Sequence, residues 1–176
     1  HLGMNLAVDY GDAQKHVAEI RETMPEEGYI IRIPKSPYLL NGTSSKQLAG
    51  AICVFLGLAC LCGLPILIIR GWKIAAIVAL GAFLGLMYSC RPLRLGYHGL
   101  GEFVIGIMFG PLEMMGVFFA TCGLITTELI LVSCAVGLLV INIVYTHAVL
   151  DVDGDEHIQK LTLARAAKTP KTKMFW

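Results

Sequence analysis

Charge is scarce in this sequence: 15% of its 176 residues are Asp, Glu, Lys or Arg, against about 25% in an ordinary soluble domain. Together with a 56% hydrophobic content, that scarcity excludes a typical soluble globule. The six cysteines, Cys53, Cys60, Cys62, Cys90, Cys122 and Cys134, lack zinc-site spacing with histidines and read as small apolar residues within helices. A calcium loop is absent too. Asp151-Val152-Asp153-Gly154-Asp155 begins like one, but Gly154 stands at position 4 rather than 6, and position 12 is Thr162 rather than Glu. No signal-peptide pattern precedes the first acidic motif. The chain opens on His1, and the apolar run before Asp9 is too short to span a bilayer. His1–Val8 therefore reads as the tail of a helix, and the expectation is a single, incomplete domain over residues 1–176. The net charge of +1 points to no partner by itself, and no nucleic-acid partner is expected.

What the sequence does have is apolar length. Four blocks carry it: Leu48–Ile69, Ile74–Cys90, Phe103–Cys122 and Leu129–Leu150. The first and last are each roughly 33 Å as helix at 1.5 Å per residue, enough to cross a bilayer core. Trp72 and Lys73 can extend the short second block by sitting at the interface. The fold class is therefore an all-α membrane protein, with four full transmembrane helices and the end of another. Pro65 predicts a kink in the first span, and Ser44 or Ser45 can cap it. Gly81 and Gly85 allow a close helix approach. Ala13–Arg21 reads as a polar helix that continues from the first motif, and Tyr29–Ile33 as a short extended run.

Two acidic motifs stand at the mouths of apolar segments. In helical geometry Asn5, Asp9 and Asp12 share one face, and so do His147, Asp151 and Asp155. Carboxylates clustered where a helix leaves the membrane suggest an ion or substrate site. His147 is a capping histidine or a ligand, Asp153 a possible further ligand, and Glu113 a structural carboxyl or a cavity-lining group. Four spans separate the motifs, so both emerge on one side. Twelve basic residues lie in loops on that side and two, Arg70 and Lys73, on the other. The positive-inside rule then places both motifs and the 91–102 loop at the cytoplasmic face of a multi-pass cell-membrane protein.

An anionic substrate would be repelled by two carboxylate clusters unless metal ions inverted the local charge. Oxygen ligands suit Mg²⁺, with substrate phosphates completing its shell. Arg91, Arg94, Lys15 and Lys160 are direct diphosphate partners on the same face. A lipid diphosphate bound head-up at the interface fits these features, with its diphosphate leaving to give an allylic cation that an acceptor attacks. The alternative is a non-catalytic membrane module: a truncated remnant, or a helical ion-binding or transport subunit.

Over essentially its whole length the chain resembles the UbiA superfamily of membrane prenyltransferases. Asn5-x-x-x-Asp9-Tyr10-x-Asp12 is similar to the first Asp-rich motif of the branch that prenylates 1,4-dihydroxy-2-naphthoate for menaquinone. Tyr88-Ser89-x-x-Pro92-Leu93-x-Leu95-x-Tyr97-x-Gly99-Leu100-Gly101-Glu102, followed by Phe109-Gly110-Pro111-Leu112, resembles that branch's loop and next helix. Asp151-x-x-x-Asp155, followed by Lys160-Leu161-Thr162-Leu163-Ala164, resembles the second motif and its tail. The resemblance implies a nine-helix bundle and Mg²⁺-dependent transfer of a polyprenyl group from its diphosphate to an aromatic acceptor. By the same resemblance Asn5, Asp9, Asp12, Asp151 and Asp155 hold the metal–diphosphate, Arg94 and Lys160 contact diphosphate oxygens, and Tyr88 lies near the allylic cation. The chain departs from the pattern at three places, one of them His147, where many members of the family have Asn or Arg. A glycine and then a carboxylate give way to His16-Val17-Ala18-Glu19, and the glycine before Lys160 is Gln159.

Overall fold

A computed structural model describes residues 1–26, 28 and 42–167. The extended run expected at Tyr29–Ile33 and the basic tail Lys168–Trp176 lie outside the described residues. Helix α1 (Leu2–Ala13) and the short α2 (Val17–Thr23) precede four long helices. These are α3 (Ser45–Arg70), α4 (Trp72–Ser89), α5 (Gly101–Cys122) and α6 (Thr127–Leu150), each long and apolar enough to cross a membrane. Two single-turn helices follow, α7 (Val152–His157) and α8 (Leu163–Ala166). The protein is a multi-pass membrane protein by this architecture. Most of its large apolar side chains face outward, Leu61, Ile68, Leu131 and Leu138 among them, as lipid-facing helices require.

Local chemistry accounts for the helix ends. Ser44 accepts from the backbone N–H of Gln47 at 3.3 Å, while Gln47 Oε1 accepts from the Ser44 N–H at 2.8 Å. Of the two expected caps it is therefore Ser44 that is used, and this capping box starts α3 at Ser45. Thr126 Oγ1 accepts from Leu129 N–H at 3.2 Å and starts α6 in the same way. Helix α3 continues through Pro65. In α5, Pro111 lies in a stretch of π-helix over Met108–Leu112. Proline has no N–H and crowds the carbonyl of the preceding turn, and the wider turn accommodates it.

Two expected helices are broken. The helix predicted to run on through Ala13–Arg21 stops at Ala13, and His16 takes a left-handed conformation, φ 54°, before α2 begins. The face shared by His147, Asp151 and Asp155 is interrupted as well. Helix α6 ends at Leu150, Asp151 has φ −110° and ψ 11°, and α7 starts afresh. Both breaks redirect the chain across the end of the bundle.

Helix α1 packs between α3 and α4, and α5 packs along α6. The tightest helix crossing involves glycines other than Gly81 and Gly85. A Cβ at Gly110 would sit 2.5 Å from Gly137 Cα, and one at Gly106 would sit 2.4 Å from Ile141 Cγ1. Gly106 and Gly110, four apart, thus bring the backbones of α5 and α6 into contact. Gly85 instead faces the flexible side chains of Met4 and Met108.

Candidate functional site

The site lies where the four spans share one end. Tyr88, near the end of α4, is fixed by the loop that follows. A Cβ at Gly96 would stand 2.9 Å from its ring, and one at Gly101 3.4 Å, so both glycines allow the loop to close over the aromatic face. That loop contains a cis Arg91–Pro92 bond, Arg94 in a left-handed conformation (φ 44°) and a turn of 3-10 helix over Leu95–Tyr97. A non-glycine residue held there costs about 1–2 kcal/mol, a strain found most often at functional positions.

The loop is tied to the segment after the second motif. Gly99 N–H donates to Leu161 O at 2.9 Å, and Leu161 N–H donates to Tyr97 O at 3.2 Å. This pairing brings the Lys160 ammonium to 5.9 Å from the centre of the Tyr88 ring and 5.7 Å from that of Tyr97. Tyr97 is buried and donates its hydroxyl to Asp12 Oδ1 at 2.6 Å. The Lys15 ammonium lies over the same Tyr97 ring, 3.9 Å from its centroid. Arg94 Nη2 donates to Gln14 Oε1 at 3.0 Å. Asp12, Lys15, Arg94 and Lys160 are therefore brought together around Tyr97, a residue to which sequence reasoning gave no role.

Sequence reasoning also missed Arg21 and Glu102. Arg21, only 3% exposed, donates from Nη1 and Nη2 to the two oxygens of Asp151 at 3.2 and 2.9 Å, and from Nη2 to Asp155 Oδ1 at 3.4 Å. Glu102, 2% exposed, accepts from the Leu163 N–H at 3.0 Å through Oε1. Its Oε2, Arg21 Nε and Arg94 Nε are buried without hydrogen-bond partners. Each such group costs about 1–3 kcal/mol if left unpaired, so this end of the bundle is rich in unmet polar demand. Beside these groups is a cavity of about 280 Å³, lined by Tyr88, Glu102, His147, Asp151, Asp155 and Lys160 among others.

The remaining sequence candidates are more peripheral. Asn5, Arg91 and Asp153 are exposed, and Asp9 is half-buried on α1. His147 lines the cavity, with its Nδ1 2.9 Å from Ile143 O. Glu113 is outside the cavity lining, on α5, with an oxygen 3.6 Å from His1 Nε2.

The electrostatics follow from this packing. Burial pushes the Tyr97 hydroxyl well up from its ordinary range, and the neighbouring Asp12 carboxylate adds to the effect. For Lys160, burial works against the charged form, but Tyr88, Asp155 and Asp12 outweigh it and the pKa is raised. Lys15 shifts the other way, through burial and then the nearby Arg94. A raised folded-state pKa means stability that is complete below the unfolded value, about 10 for both Tyr97 and Lys160, and lost as pH rises through the folded value. Between pH 6 and 9 these two groups are therefore expected to give the thermal midpoint in detergent no pH dependence, and above about pH 10 it should fall. Tyr97→Phe should reduce that alkaline fall. An identical alkaline profile in the variant would show that Tyr97 does not contribute to it.

The two motifs offer different donor sets. Asn5, Asp9 and Asp12 present oxygen donors from one face of α1, which suits a hard divalent cation completed by phosphate oxygens. Asp151 and Asp155 already receive a guanidinium. Among the described residues, no three or more His, Cys, Asp or Glu side chains converge as a metal site.

The sequence model of the UbiA prenyltransferase family matches residues 24–176. This chain belongs to that family. The match includes the 91–102 loop and the second acidic motif, while the first motif precedes it. Over 146 residues the UbiA-family chain is 29% identical to a 2-carboxy-1,4-naphthoquinone phytyltransferase of Synechocystis, covering 82% of the chain and 45% of that relative. Over 163 residues it is 26% identical to a 1,4-dihydroxy-2-naphthoate octaprenyltransferase of Bacillus subtilis, covering 93% and 50%. It is also 33% identical over 148 residues to a probable homogentisate phytyltransferase of rice, covering 77% and 38%. The chain thus spans about half the length of the curated relatives it matches. No solved structure matches it significantly.

Proposed function

We propose that this protein is an integral-membrane prenyltransferase that moves a polyprenyl group from its diphosphate to an aromatic acceptor, with 1,4-dihydroxy-2-naphthoate, on the route to menaquinone, as the favoured acceptor. The observation that carries the reading is the cluster at the mouth of the cavity, where Asp12, Tyr97, Tyr88 and Lys160 meet. Family membership and the activities for which the relatives are named support it.

In this reading Lys160, Arg94 and Lys15 bind the diphosphate oxygens, with Arg91 at the exposed rim. Asn5, Asp9 and Asp12 hold a divalent ion, Mg²⁺ by the chemistry of their oxygen donors. When bound, the ion neutralises charge that develops on the departing diphosphate. Tyr97 orients Asp12 by its hydrogen bond. The allylic C–O bond breaks with its electron pair going to diphosphate, and the face of Tyr88 stabilises the resulting cation. A ring carbon of the acceptor then forms the new C–C bond and sheds the substituent it carried there, as a proton or as carbon dioxide. The polyprenyl tail extends between the helices in the bilayer, and both acidic motifs face the cytoplasm.

The test uses membranes carrying the protein in its full natural length, given labelled polyprenyl diphosphate, 1,4-dihydroxy-2-naphthoate and Mg²⁺. Label is expected in a prenylated naphthoquinone product, and to be lost with chelator or with Asp9→Ala. A folded protein that is silent with this and other aromatic acceptors would overturn the reading in favour of a non-catalytic ion-binding module.

A further inference from the structure

We propose that Arg165 is a positioning residue for Lys160: its guanidinium clasps the turn that carries the lysine and so holds the ammonium beside the Tyr88 and Tyr97 rings. That Lys160 binds diphosphate belongs to the prenyl-transfer reading, and the inference rests on that reading for the ligand alone.

The turn that ends α7 is closed first by its own backbone. Lys160 N–H donates to Asp155 O at 2.8 Å, and Gln159 N–H donates to Glu156 O at 3.0 Å. With Gln159 left-handed at φ 54°, these two bonds make a Schellman motif, in which glycine ordinarily takes the left-handed place. Glutamine carries a Cβ, which crowds the following carbonyl oxygen in that conformation. Such a residue persists only where its surroundings over-determine the backbone.

Arg165 supplies that constraint. Its Nη1 donates to Asp155 O at 3.3 Å and to Lys160 O at 2.7 Å, the first and last carbonyls of the turn. The arginine reaches back from a fixed point. Leu163 N–H donates to Glu102 Oε1 at 3.0 Å, and Arg165 N–H donates to Thr162 Oγ1 at 3.4 Å, so the start of α8 is capped from two sides. Ala164, between them, is fully buried and packs with Tyr145 and Ala148 of α6.

Beyond the turn, Leu161 is paired through both its N–H and its carbonyl with the Tyr97–Gly99 loop. Four backbone groups of Lys160 and Leu161 are thus bonded, and of these bonds only the one to Lys160 O is made by a side chain. A lysine is a point charge on a flexible four-carbon stem, so its aim depends on where its backbone is held. Without Arg165, the strain at Gln159 is opposed by less. The turn can then relax and carry the ammonium away from the two rings, whose centres lie 5.9 and 5.7 Å from it.

Calorimetric titration of inorganic diphosphate, with Mg²⁺ present, into the full-length protein in detergent tests this as a double-mutant cycle, well below the thermal midpoint. Lys160→Ala and Arg165→Ala are each expected to weaken binding about 10-fold or more, and the double variant to bind as Lys160→Ala does. Arg165→Lys keeps the charge without the fork of donors; it should fall between wild type and Arg165→Ala, and it replaces Arg165→Ala in the cycle if that variant fails to fold. Losses that add in the double variant, or unchanged affinity in the Arg165 variants, would overturn the inference. The placement of Lys160 is read separately, by peptide mass spectrometry after brief exposure to an amine-reactive ester. Lys160 should be labelled several-fold faster in the Arg165 variants than in wild type, and unchanged labelling would overturn the inference in every case. If diphosphate binds none of the proteins, or binds Lys160→Ala as it binds wild type, faster labelling would keep the inference and remove Lys160 from the prenyl-transfer reading.

Discussion

Asp155→Ala is expected to destabilise the protein by about 3–5 kcal/mol, the cost of stranding a buried charge by removing one partner. Asp155 is 3% exposed and faces Arg21, itself 3% exposed. It also helps to hold Lys160 in its charged form. Removing the carboxylate leaves Arg21 with Asp151 alone and withdraws a countercharge from Lys160. Asp151, whose side chain is 32% exposed, can be solvated in part, so Asp151→Ala should cost less. The thermal midpoint in detergent checks the ordering. Equal losses for the two variants would mean that burial does not control the energetics of this triad.

Gly11→Ala should reduce activity by about 100-fold or more, the order of loss that a 1 Å displacement of catalytic groups produces. Gly11 stands between Tyr10 and Asp12 on α1 and rests against the end of α4. An added Cβ would lie 2.6 Å from both Cβ and O of Ser89 and 2.8 Å from its carbonyl carbon. Backbone atoms cannot rotate away as the tip of a side chain can, so α1 itself must move. The displacement separates Asp12 from Tyr97, and thus the first motif from the Tyr88 face. Overpacking of this kind costs about 1–3 kcal/mol, which leaves enough folded protein for kinetics. Gly57→Ala, with nothing within 4 Å of the added methyl, serves as the control. Activity within a few-fold of wild type in Gly11→Ala would show that α1 and α4 need not meet so closely.

The membrane spans were legible in the sequence because apolar length is a local property, and each expected block lies within a few residues of a helix end. The site was legible only in part. Asp12 and Lys160 were candidates from motif spacing, but the group that joins them, Tyr97, stood in a quoted motif without a role. Arg21 was one of many loop cations, and its partners lie 130 and 134 residues further along the chain. No periodicity encodes such a pairing. Two departures from the family pattern, however, were structural signals. His16 and Gln159, in the two stretches where the resemblance led us to expect glycine, both adopt φ 54°, a conformation that glycine enters without strain. Those substitutions marked the two turns that fold Arg21 and Lys160 inward.

At the far end of the bundle, Arg70 donates to the backbone oxygens of Ala120 and Thr121, the last turn of α5. Its guanidinium lies over Gly123, where an added Cβ would stand 2.5 Å from Nη1. Arg70 is one of two basic residues in the connections on that side, and the negative end of a helix dipole absorbs its charge. Carbonyls that have lost their intrahelical partners at the end of α5 receive it there. The turn between α3 and α4 is thereby latched to the turn between α5 and α6, so the two helical hairpins are tied together at the end away from the acidic motifs.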